Sequence, residues 1–471
     1  MIKARIIESG YKTGSPVLRD IDLFIKEGEA VLVTGVSGCG KTTLLLSITG
    51  VLKHLLYGYI DGSIRLADLN PLNQQDFYNI PRKIGVVLQD PEKQIAMPTP
   101  WDETIFTLEN LGYPEEEAVK KTRETLRRYG LIDKAYQHVE DLSGGEKRRL
   151  TIASALIHEP SILFLDEPTA SIDPWGIRSI REEVKGFRDR GLTTIIIEHK
   201  IKYFLDLVDR IVVMDHGRIH SIYENNGVND TVLDKLLGLG IDSRKAIVID
   251  RERRLGEKLL EVRSLTIGYD KPLVRDIDLV LHRGEVLAII GANGCGKTTL
   301  LKTLIGFIEP LSGEVVCKYK MFYVPQQPDY LFIKRSLEGE VRELYRKTGV
   351  DLEAIIDLMP WYERYSKLPP YRLSHGQRRW LSIVIAYTYS KDIILLDEPT
   401  TGLDYRLFRM LKKLIDDLRG RGVGFIIATH DPRVVGELAD NVVLINSGGA
   451  EYIDRWRAVD MLESIAGISH G

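Results

Sequence analysis

The chain has 471 residues, of which 44% are hydrophobic and 28% charged, so it is long enough for about two to four domains and too apolar to be disordered. Its 64 Lys and Arg residues nearly balance 67 Asp and Glu residues, for a net charge of −3, which argues against non-specific nucleic-acid binding. No stretch approaches the roughly 18–20 consecutive apolar residues of a membrane span, and the first residues lack the apolar centre of a signal peptide, so we expect a cytosolic, non-integral protein.

The chain contains a tandem repeat. The 29 residues from Val17 align without gaps with those from Leu273, and 16 of them are identical. A second block, from Leu142, aligns with the block from Leu373. The offset falls from 256 to 231, so the second copy is 25 residues shorter in its middle, and we expect the missing part to be peripheral strands. A repeat of this kind predicts two similar domains.

Short runs of Val, Ile and Leu alternate with helical stretches in each copy. Such runs are typical of fully buried strands, so each copy is predicted to be an α/β domain with a largely parallel sheet. We place the domains at residues 1–225 and 258–471, joined by a linker over residues 226–257. The basic cluster Arg251–Arg254 in this linker is interpreted as a solvated face rather than a binding patch. The three cysteines, Cys39, Cys295 and Cys317, are too few for a disulfide framework.

A glycine-rich loop follows an apolar run in each copy and opens a helical stretch, which is the context of a phosphate-binding loop. Glycines let the backbone N–H groups surround the phosphates, and the helix N-terminus adds positive potential. Each loop ends in a lysine for the β- and γ-phosphates and a threonine hydroxyl for Mg²⁺. The candidate ATP-binding residues are Gly35, Val36, Ser37, Gly38, Cys39, Gly40, Lys41, Thr42 and Thr43, and Gly291, Ala292, Asn293, Gly294, Cys295, Gly296, Lys297, Thr298 and Thr299.

Weaker candidates lie at equivalent places in both copies. Gln89 and Gln326 each follow an apolar strand, and Tyr11 and Tyr269 stand in matching Gly-Tyr dipeptides. An isolated glutamine is ordinarily a loop residue and a tyrosine a core aromatic, but an aromatic face can also stack on adenine.

Paired carboxylates end the next apolar run of each copy, as Asp166-Glu167 and Asp397-Glu398. Ligands bind beyond the carboxyl ends of strands in open α/β sheets. Asp166 and Asp397 are therefore candidate Mg²⁺ ligands, and the glutamates are candidates to polarise the water that attacks the γ-phosphate.

One histidine follows in each copy, 33 residues beyond the aspartate. A histidine at a strand end is more often structural, but the equal spacing favours contact with the γ-phosphate. The candidate catalytic residues are thus Glu167 and His199 in the first copy, and Glu398 and His430 in the second.

The order of these motifs resembles the nucleotide-binding domain of ATP-binding-cassette (ABC) proteins, twice in one chain. The resemblance implies that each cassette adds an antiparallel β subdomain and a helical subdomain to its core, and that the two cassettes pair head-to-tail around two ATP molecules. It implies Mg²⁺ and ATP contacts for Gln89 and Gln326, and ATP contacts for the LSGGE and LSHGQ signatures. These signature residues are Ser143, Gly144, Gly145 and Glu146, and Ser374, His375, Gly376 and Gln377.

His375 stands where the signature usually has its first glycine. If that backbone required a positive φ, a histidine would cost on the order of 1 kcal/mol. Because other family members resemble this sequence in carrying LSHG, we expect the site that uses His375 to be active with altered kinetics. Because both candidate catalytic glutamates are retained, we expect two hydrolysing sites. The resemblance also implies that the stretches Ser171–Asp173 and Gly402–Asp404 link the two sites.

The stretch after Gln89 resembles ATPases of energy-coupling factor (ECF) importers, as does the Glu198-His199 pair. This resemblance implies a peripheral ATPase on the cytoplasmic face of the cell membrane, with an integral transmembrane (T) component and a substrate-binding (S) component that import a vitamin or a transition-metal ion. Asp90, Glu92 and Asp329 are candidates to receive arginines of the membrane partner.

Two alternatives remain. One is a soluble double-cassette ATPase that acts on ribosomes or nucleic acid, although neither a cysteine-rich N-terminal segment nor a long charged linker is present. The other is the ATPase of a non-ECF importer, which differs only in its membrane partner.

Overall fold

The computed structural model describes residues 1–12, 15–170, 172–249, 256–446 and 449–468. Ser171, the cluster Arg251–Arg254 and the side chain of His375 lie outside the described residues. The chain divides into two compact units, the first made of Met1–Ile172 and Gly176–Arg244, and the second of Asp173–Trp175 and Lys245–Gly471.

The first unit alternates strands and helices. Its strands are β1 (Ile2–Gly10), β2 (Leu18–Ile25), β3 (Ala30–Thr34), β4 (Tyr59–Leu66), β5 (Ile84–Val87), β6 (Ile162–Asp166), β7 (Thr193–Ile197), β8 (Arg210–Asp215) and β9 (Arg218–Glu224). Its helices are α1 (Lys41–Ile48), α2 (Val51–His54), α3 (Gln74–Phe77), α4 (Pro91–Gln94), α5 (Pro100–Asn110), α6 (Glu115–Arg128), α7 (Gly144–Leu156), α8 (Pro174–Asp189) and α9 (Asp230–Gly238).

Two sheets organise the described part of this unit. The larger has the strand order β5-β6-β7-β3-β8-β9, with parallel pairing throughout except between β8 and β9. The smaller is antiparallel, with the order β2-β1-β4. Strands β3, β6 and β7 are buried at every position, as expected for parallel strands covered on both faces. Their carboxyl ends meet at one edge of the larger sheet.

The second unit repeats this architecture. Its strands are β10 (Lys258–Gly268), β11 (Pro272–His282), β12 (Val286–Ile290), β13 (Ser312–Cys317), β14 (Met321–Val324), β15 (Ile393–Asp397), β16 (Gly424–Ala428), β17 (Asn441–Asn446) and β18 (Gly449–Ile453). Its helices are α10 (Lys297–Leu304), α11 (Leu337–Thr348), α12 (Leu352–Ile356), α13 (Tyr362–Tyr365), α14 (His375–Tyr389), α15 (Tyr405–Gly420), α16 (Pro432–Glu437) and α17 (Arg455–Ile465).

The sheets of the second unit have the orders β14-β15-β16-β12-β17-β18 and β11-β10-β13 within the described residues. Each strand therefore has its counterpart in the first unit, and the predicted α/β fold with a largely parallel sheet is confirmed in both units.

The prediction for the shortened part of the second copy is wrong. The strand β4 has a counterpart in β13, because each pairs with the long first strand of its small sheet. Between the phosphate loop and β5, the helices without a counterpart among the described residues are the short helices α2 and α3. The missing residues thus lie in short helices and turns, and the strands of the small sheet are kept.

The segment predicted to be a linker contains the helix α9, and the boundary between the two units falls within this segment, after Arg244. Asn229 caps the helix by accepting a hydrogen bond from the Val232 amide. Among the described residues, no helix combines the length and the apolar character that crossing a membrane requires.

One interior position carries an ionisable side chain in α8 and an apolar one in α15. Glu183 of α8 occupies the place of Leu414 in α15, and Leu414 is buried. Glu183 shares an apolar pocket with Ile152 and Phe187, and its Oε2 atom is buried without a hydrogen-bond partner among the described residues. Burial raises the pKa of Glu183 to about 7, against the opposing charge of Arg148.

This difference predicts a pH-dependent stability. A glutamate pKa is about 4.3 in an unfolded chain, so the higher folded-state pKa means that Glu183 contributes stability at low pH that is lost as the pH rises through about 7. The substitution Glu183→Leu should therefore raise the free energy of unfolding by about 1–2 kcal/mol at pH 8 and by less at pH 5. Urea denaturation at the two pH values measures this difference.

The neighbouring Glu182 provides the control, because it is exposed and pairs with Arg178. Glu182→Leu should give no pH-dependent gain. A gain from Glu183→Leu that is equal at both pH values would contradict the buried-carboxyl explanation.

Candidate functional site

The predicted phosphate loops connect β3 to α1 and β12 to α10, at the carboxyl edge of each large sheet. Gly35 and Gly291 have φ values of 151° and 155°. A Cβ atom at Gly35 would lie 2.3 Å from the Met214 carbonyl oxygen, and at Gly291 it would lie 2.5 Å from that of Ile445. Only glycine fits these two positions, so both loops have the tight backbone that phosphate binding requires.

The lysine of each loop folds back over its own backbone. Lys41 Nζ donates hydrogen bonds of 2.7 and 3.1 Å to the carbonyl oxygens of Gly35 and Val36. Lys297 Nζ does the same at 2.8 and 3.1 Å with Gly291 and Ala292. Both lysines are buried at 6% exposure, so each loop holds a positive charge beside its amide groups, as an anionic phosphate chain needs.

The candidate magnesium ligands lie beside these loops. Thr298 Oγ1 donates a 2.8 Å hydrogen bond to Asp397 Oδ2, which also accepts a 2.9 Å bond from the Tyr323 hydroxyl. In the first unit, Asp166 Oδ1 is buried without a hydrogen-bond partner among the described residues. Burial raises the pKa of Asp166 to about 6, opposed by the charge of Lys41, and burial also raises the pKa of Asp397.

Buried carboxylate and hydroxyl oxygens are the donors that Mg²⁺ prefers, and a cation would offset the burial of both aspartates. The residues present therefore fit magnesium. Thr42, Gln89 and Gln326 are exposed and stay candidates for the rest of the ligand sets.

The candidate catalytic glutamates share an unusual backbone. Glu167 and Glu398 both have a φ of 44°, and their amides donate to the carbonyl oxygens of Ile197 and Ala428 on the neighbouring strands. A left-handed backbone at a residue other than glycine is a strained conformation that functional sites often retain. Burial raises the pKa of Glu167 to about 7, and repulsion by Glu198 adds to this shift.

The two candidate histidines have different neighbours. His430 Nδ1 lies 2.9 Å from Glu398 Oε1, within its own cassette. His199 Nδ1 lies 3.9 Å from Glu167 Oε1 but 3.2 Å from Glu198 Oε1. The structure thus brings histidine and glutamate together at both sheet edges, with closer contact in the second unit.

The signature segments begin the helices α7 and α14 with a capping box. Ser143 accepts from the Glu146 amide, and Ser374 accepts from the Gln377 amide. His375 is the first residue of α14, as Gly144 is of α7. The position is helical, so the backbone strain considered for His375 does not arise.

A salt bridge of 2.7 Å joins Glu146 to Lys134. It holds the pKa of Glu146 at about 2, with a further contribution from the Ser143 amide. The helix α7 therefore begins with an ionised carboxylate already paired to a cation.

The two candidate adenine-stacking tyrosines are exposed directly after β1 and β10. Tyr11 is 38% and Tyr269 is 63% exposed. Neither is a core aromatic, so each face is accessible to a flat ring.

Two buried arginines at equivalent positions of the two copies were not among the predicted site residues. Arg148 of α7 donates to the carbonyl oxygens of Leu88 at 3.0 Å and Pro168 at 2.6 Å. Arg379 of α14 donates to those of Pro325 at 2.9 Å and Gln326 at 2.5 Å. Burial lowers the pKa of both to about 10. The two arginines are identical at equivalent positions of the aligned signature blocks. This identity is the sequence signal by which they could have been recognised.

The acidic residues considered as partner contacts are already paired. Glu92 forms a 2.7 Å salt bridge with Lys147 of α7, and Asp329 forms a 2.6 Å salt bridge with Arg378 of α14. Asp90 caps α4 through the Glu92 amide and lies 3.3 Å from Lys93.

Comparison with known proteins identifies the family. The sequence model of the ABC transporter family matches residues 18–170 and 274–401. A Saccharolobus solfataricus protein, provisionally named an ABC transporter ATP-binding protein, is 32% identical over 90% of this chain and 88% of its own length. A Bacillus subtilis protein, provisionally named an HMP/thiamine import ATP-binding protein, is 28% identical over 93% of this chain and 88% of its own length.

Among solved structures, a chain in a model of ribosome-bound archaeal Pelota and ABCE1 has a TM-score of 0.70 over 98% of this chain and 81% of its own. At 21% sequence identity this likeness concerns the fold alone. The family match covers the phosphate loop, the signature and the paired carboxylates of both units. The chain therefore belongs to the ABC transporter family, as an ATPase with two ATP-binding cassettes.

Proposed function

We propose that this chain is the ATP-hydrolysing energy-coupling subunit of an ECF-type importer for a vitamin or a transition-metal ion. It works at the cytoplasmic face of the cell membrane with separate T and S components, and no nucleic acid takes part. ATP closes the two cassettes and hydrolysis reopens them, so that the membrane components follow the cycle.

The observation that carries the catalytic part is the recurrence of one arrangement at two sheet edges. In each unit a glycine-rich loop and a buried lysine lie beside an aspartate, a glutamate and a histidine. The loop amides and the lysine would bind the β- and γ-phosphates, and bound Mg²⁺ would neutralise the charge of the phosphate oxygens. The glutamate would orient the attacking water, and the histidine would contact the γ-phosphate.

We further propose the head-to-tail arrangement that ABC cassettes use. In it, the signature of each cassette faces the phosphate loop of the other, so that Ser143 would serve the site of Lys297, and Ser374 the site of Lys41. Because both cassettes belong to one chain, the chain can form two complete sites by itself. We also propose that the first cassette ends at residue 225 and the second begins at residue 258, with residues 226–257 as the linker.

Support for an importer comes from the Bacillus subtilis relative named for HMP/thiamine import and from the segment that follows Gln89. This segment forms the short helix α4 and the longer helix α5. An arginine of a membrane partner that approached Glu92 would compete with Lys147, and one that approached Asp329 would compete with Arg378. Such an exchange would carry a signal from the membrane partner to the signature helix.

The double substitution Glu167→Gln plus Glu398→Gln tests the catalytic proposal. It removes both candidate bases and leaves the loops intact, so we expect ATP binding close to that of the wild type and hydrolysis at least about a hundredfold slower. Equilibrium binding of a fluorescent ATP analogue and phosphate release measure the two quantities. Near-normal hydrolysis by the double variant would remove the assigned base role.

Affinity purification from detergent-solubilised native membranes tests the transport proposal. We expect the tagged chain to recover a polytopic membrane protein together with a small substrate-binding membrane protein. Recovery of ribosomal proteins instead would favour the ribosome-acting alternative. A tagged chain with Glu92→Ala and Asp329→Ala tests the proposed acidic contacts, and it should retain less of the membrane partner.

A further inference from the structure

The two cassettes differ in the residue directly before the candidate histidine. Glu198 occupies this place in the first cassette and Thr429 in the second. Both side chains are fully buried. The phosphate loop, the paired carboxylates and the histidine recur in both cassettes, so this pair compares two side chains at one position of a shared arrangement.

The threonine performs a local backbone task. Thr429 Oγ1 accepts a 3.0 Å hydrogen bond from the amide of Asp431, two residues further on. Glu198 Oε1 performs the equivalent task, since it accepts from the amides of His199 at 2.8 Å and Lys200 at 3.1 Å. A short hydroxyl side chain is therefore enough to accept the backbone hydrogen bond. This backbone contact alone does not explain why a carboxylate is buried at this position.

The extra reach of the glutamate brings its carboxylate to the histidine ring. Glu198 Oε1 lies 3.2 Å from His199 Nδ1, while the other oxygen accepts a 2.5 Å hydrogen bond from Thr169 Oγ1. In the second cassette, the corresponding ring nitrogen lies 2.9 Å from the candidate base Glu398. A carboxylate only accepts hydrogen bonds, so in both cassettes the proton of the ring belongs on Nδ1. The carboxylate that accepts it is different.

We propose that Glu198 is a positioning residue that holds His199 away from Glu167, so that the first cassette keeps its histidine and its base as separate groups. In the second cassette the same two groups are joined by a hydrogen bond. The first base can then receive water without breaking a bond to histidine, whereas Glu398 must share an oxygen with His430. The two sites are therefore chemically unequal. This inference rests on the proposed roles of Glu167 and His199.

Ring ¹⁵N NMR of the full-length chain with labelled histidine tests the inference without relying on hydrolysis. The His199 signals are identified by their loss in His199→Gln. The wild-type spectrum should show His199 protonated at Nδ1. Glu198→Gln, which keeps an acceptor oxygen, should preserve that pattern, and Glu198→Thr should change it while the His430 signals stay in place. A wild-type His199 unprotonated at Nδ1, or signals unchanged by Glu198→Thr, would overturn the proposal.

Steady-state hydrolysis then shows whether the positioning matters. With the second site silenced by Glu398→Gln, loss of one charge-assisted contact predicts a kcat about tenfold lower when Glu198→Thr is added, with the KM for ATP within about twofold and a smaller loss in Glu198→Gln. Thr429→Ser is the matched control in the second cassette and should leave kcat unchanged, because it keeps the hydroxyl. A kcat unaffected by Glu198→Thr would overturn the positioning role.

The two measurements separate this inference from the proposed function. If His199→Gln leaves hydrolysis unchanged, the proposed catalytic role of the histidine fails, while the ring spectrum still reports whether Glu198 holds it. If His199→Gln slows hydrolysis and Glu198→Thr does not, only the present inference fails.

Discussion

One buried guanidinium holds together the backbone segments beside each candidate ATP site. Arg148 ties the backbone that precedes Gln89 to the backbone that follows Glu167, and it does so from the helix that carries the signature. In the second cassette, Arg379 donates to the carbonyl oxygen of Pro325, before Gln326, and at 3.5 Å to that of Glu398 itself. A guanidinium offers several donors in a fixed plane, so one side chain can hold two separate segments at a set spacing. Because both arginines are buried, losing either would leave carbonyl oxygens unsatisfied, and the candidate ligands around them would lose their alignment.

The contiguous motifs made most of the fold and the loops predictable. A loop such as Gly35–Lys41 needs its glycines at fixed places, and buried parallel strands need unbroken apolar runs, so both can be recognised directly in the sequence. Contacts between distant segments produce no such pattern. Neither the partner of His199 nor the pocket around Glu183 follows from spacing, because each depends on which rotamer the surrounding packing selects. The helices α2 and α3 are not predictable from the sequence, because four residues are too few to show the hydrophobic periodicity of a helix.

Duplication within one chain makes the two cassettes controls for each other. Where both copies keep a residue, as with Arg148 and Arg379, the shared architecture explains it. Where they differ, as with Glu198 and Thr429 or Glu183 and Leu414, the local surroundings show what each side chain adds beyond the fold. The first cassette contains more buried carboxylates at these positions, which makes it the more dependent of the two on electrostatic compensation.

The left-handed backbone at Glu167 and Glu398 lowers stability at two positions where the proposed chemistry needs a carboxylate. A glycine would adopt a φ of 44° without steric cost, whereas a side chain with a Cβ atom is disfavoured there by about 1 kcal/mol. Selection for thermal stability alone would therefore tend to replace these glutamates, and on the proposed base role a variant library screened only for folding would be enriched in inactive proteins. Any programme to stabilise this ATPase has to keep both positions fixed and seek its gains elsewhere in the chain.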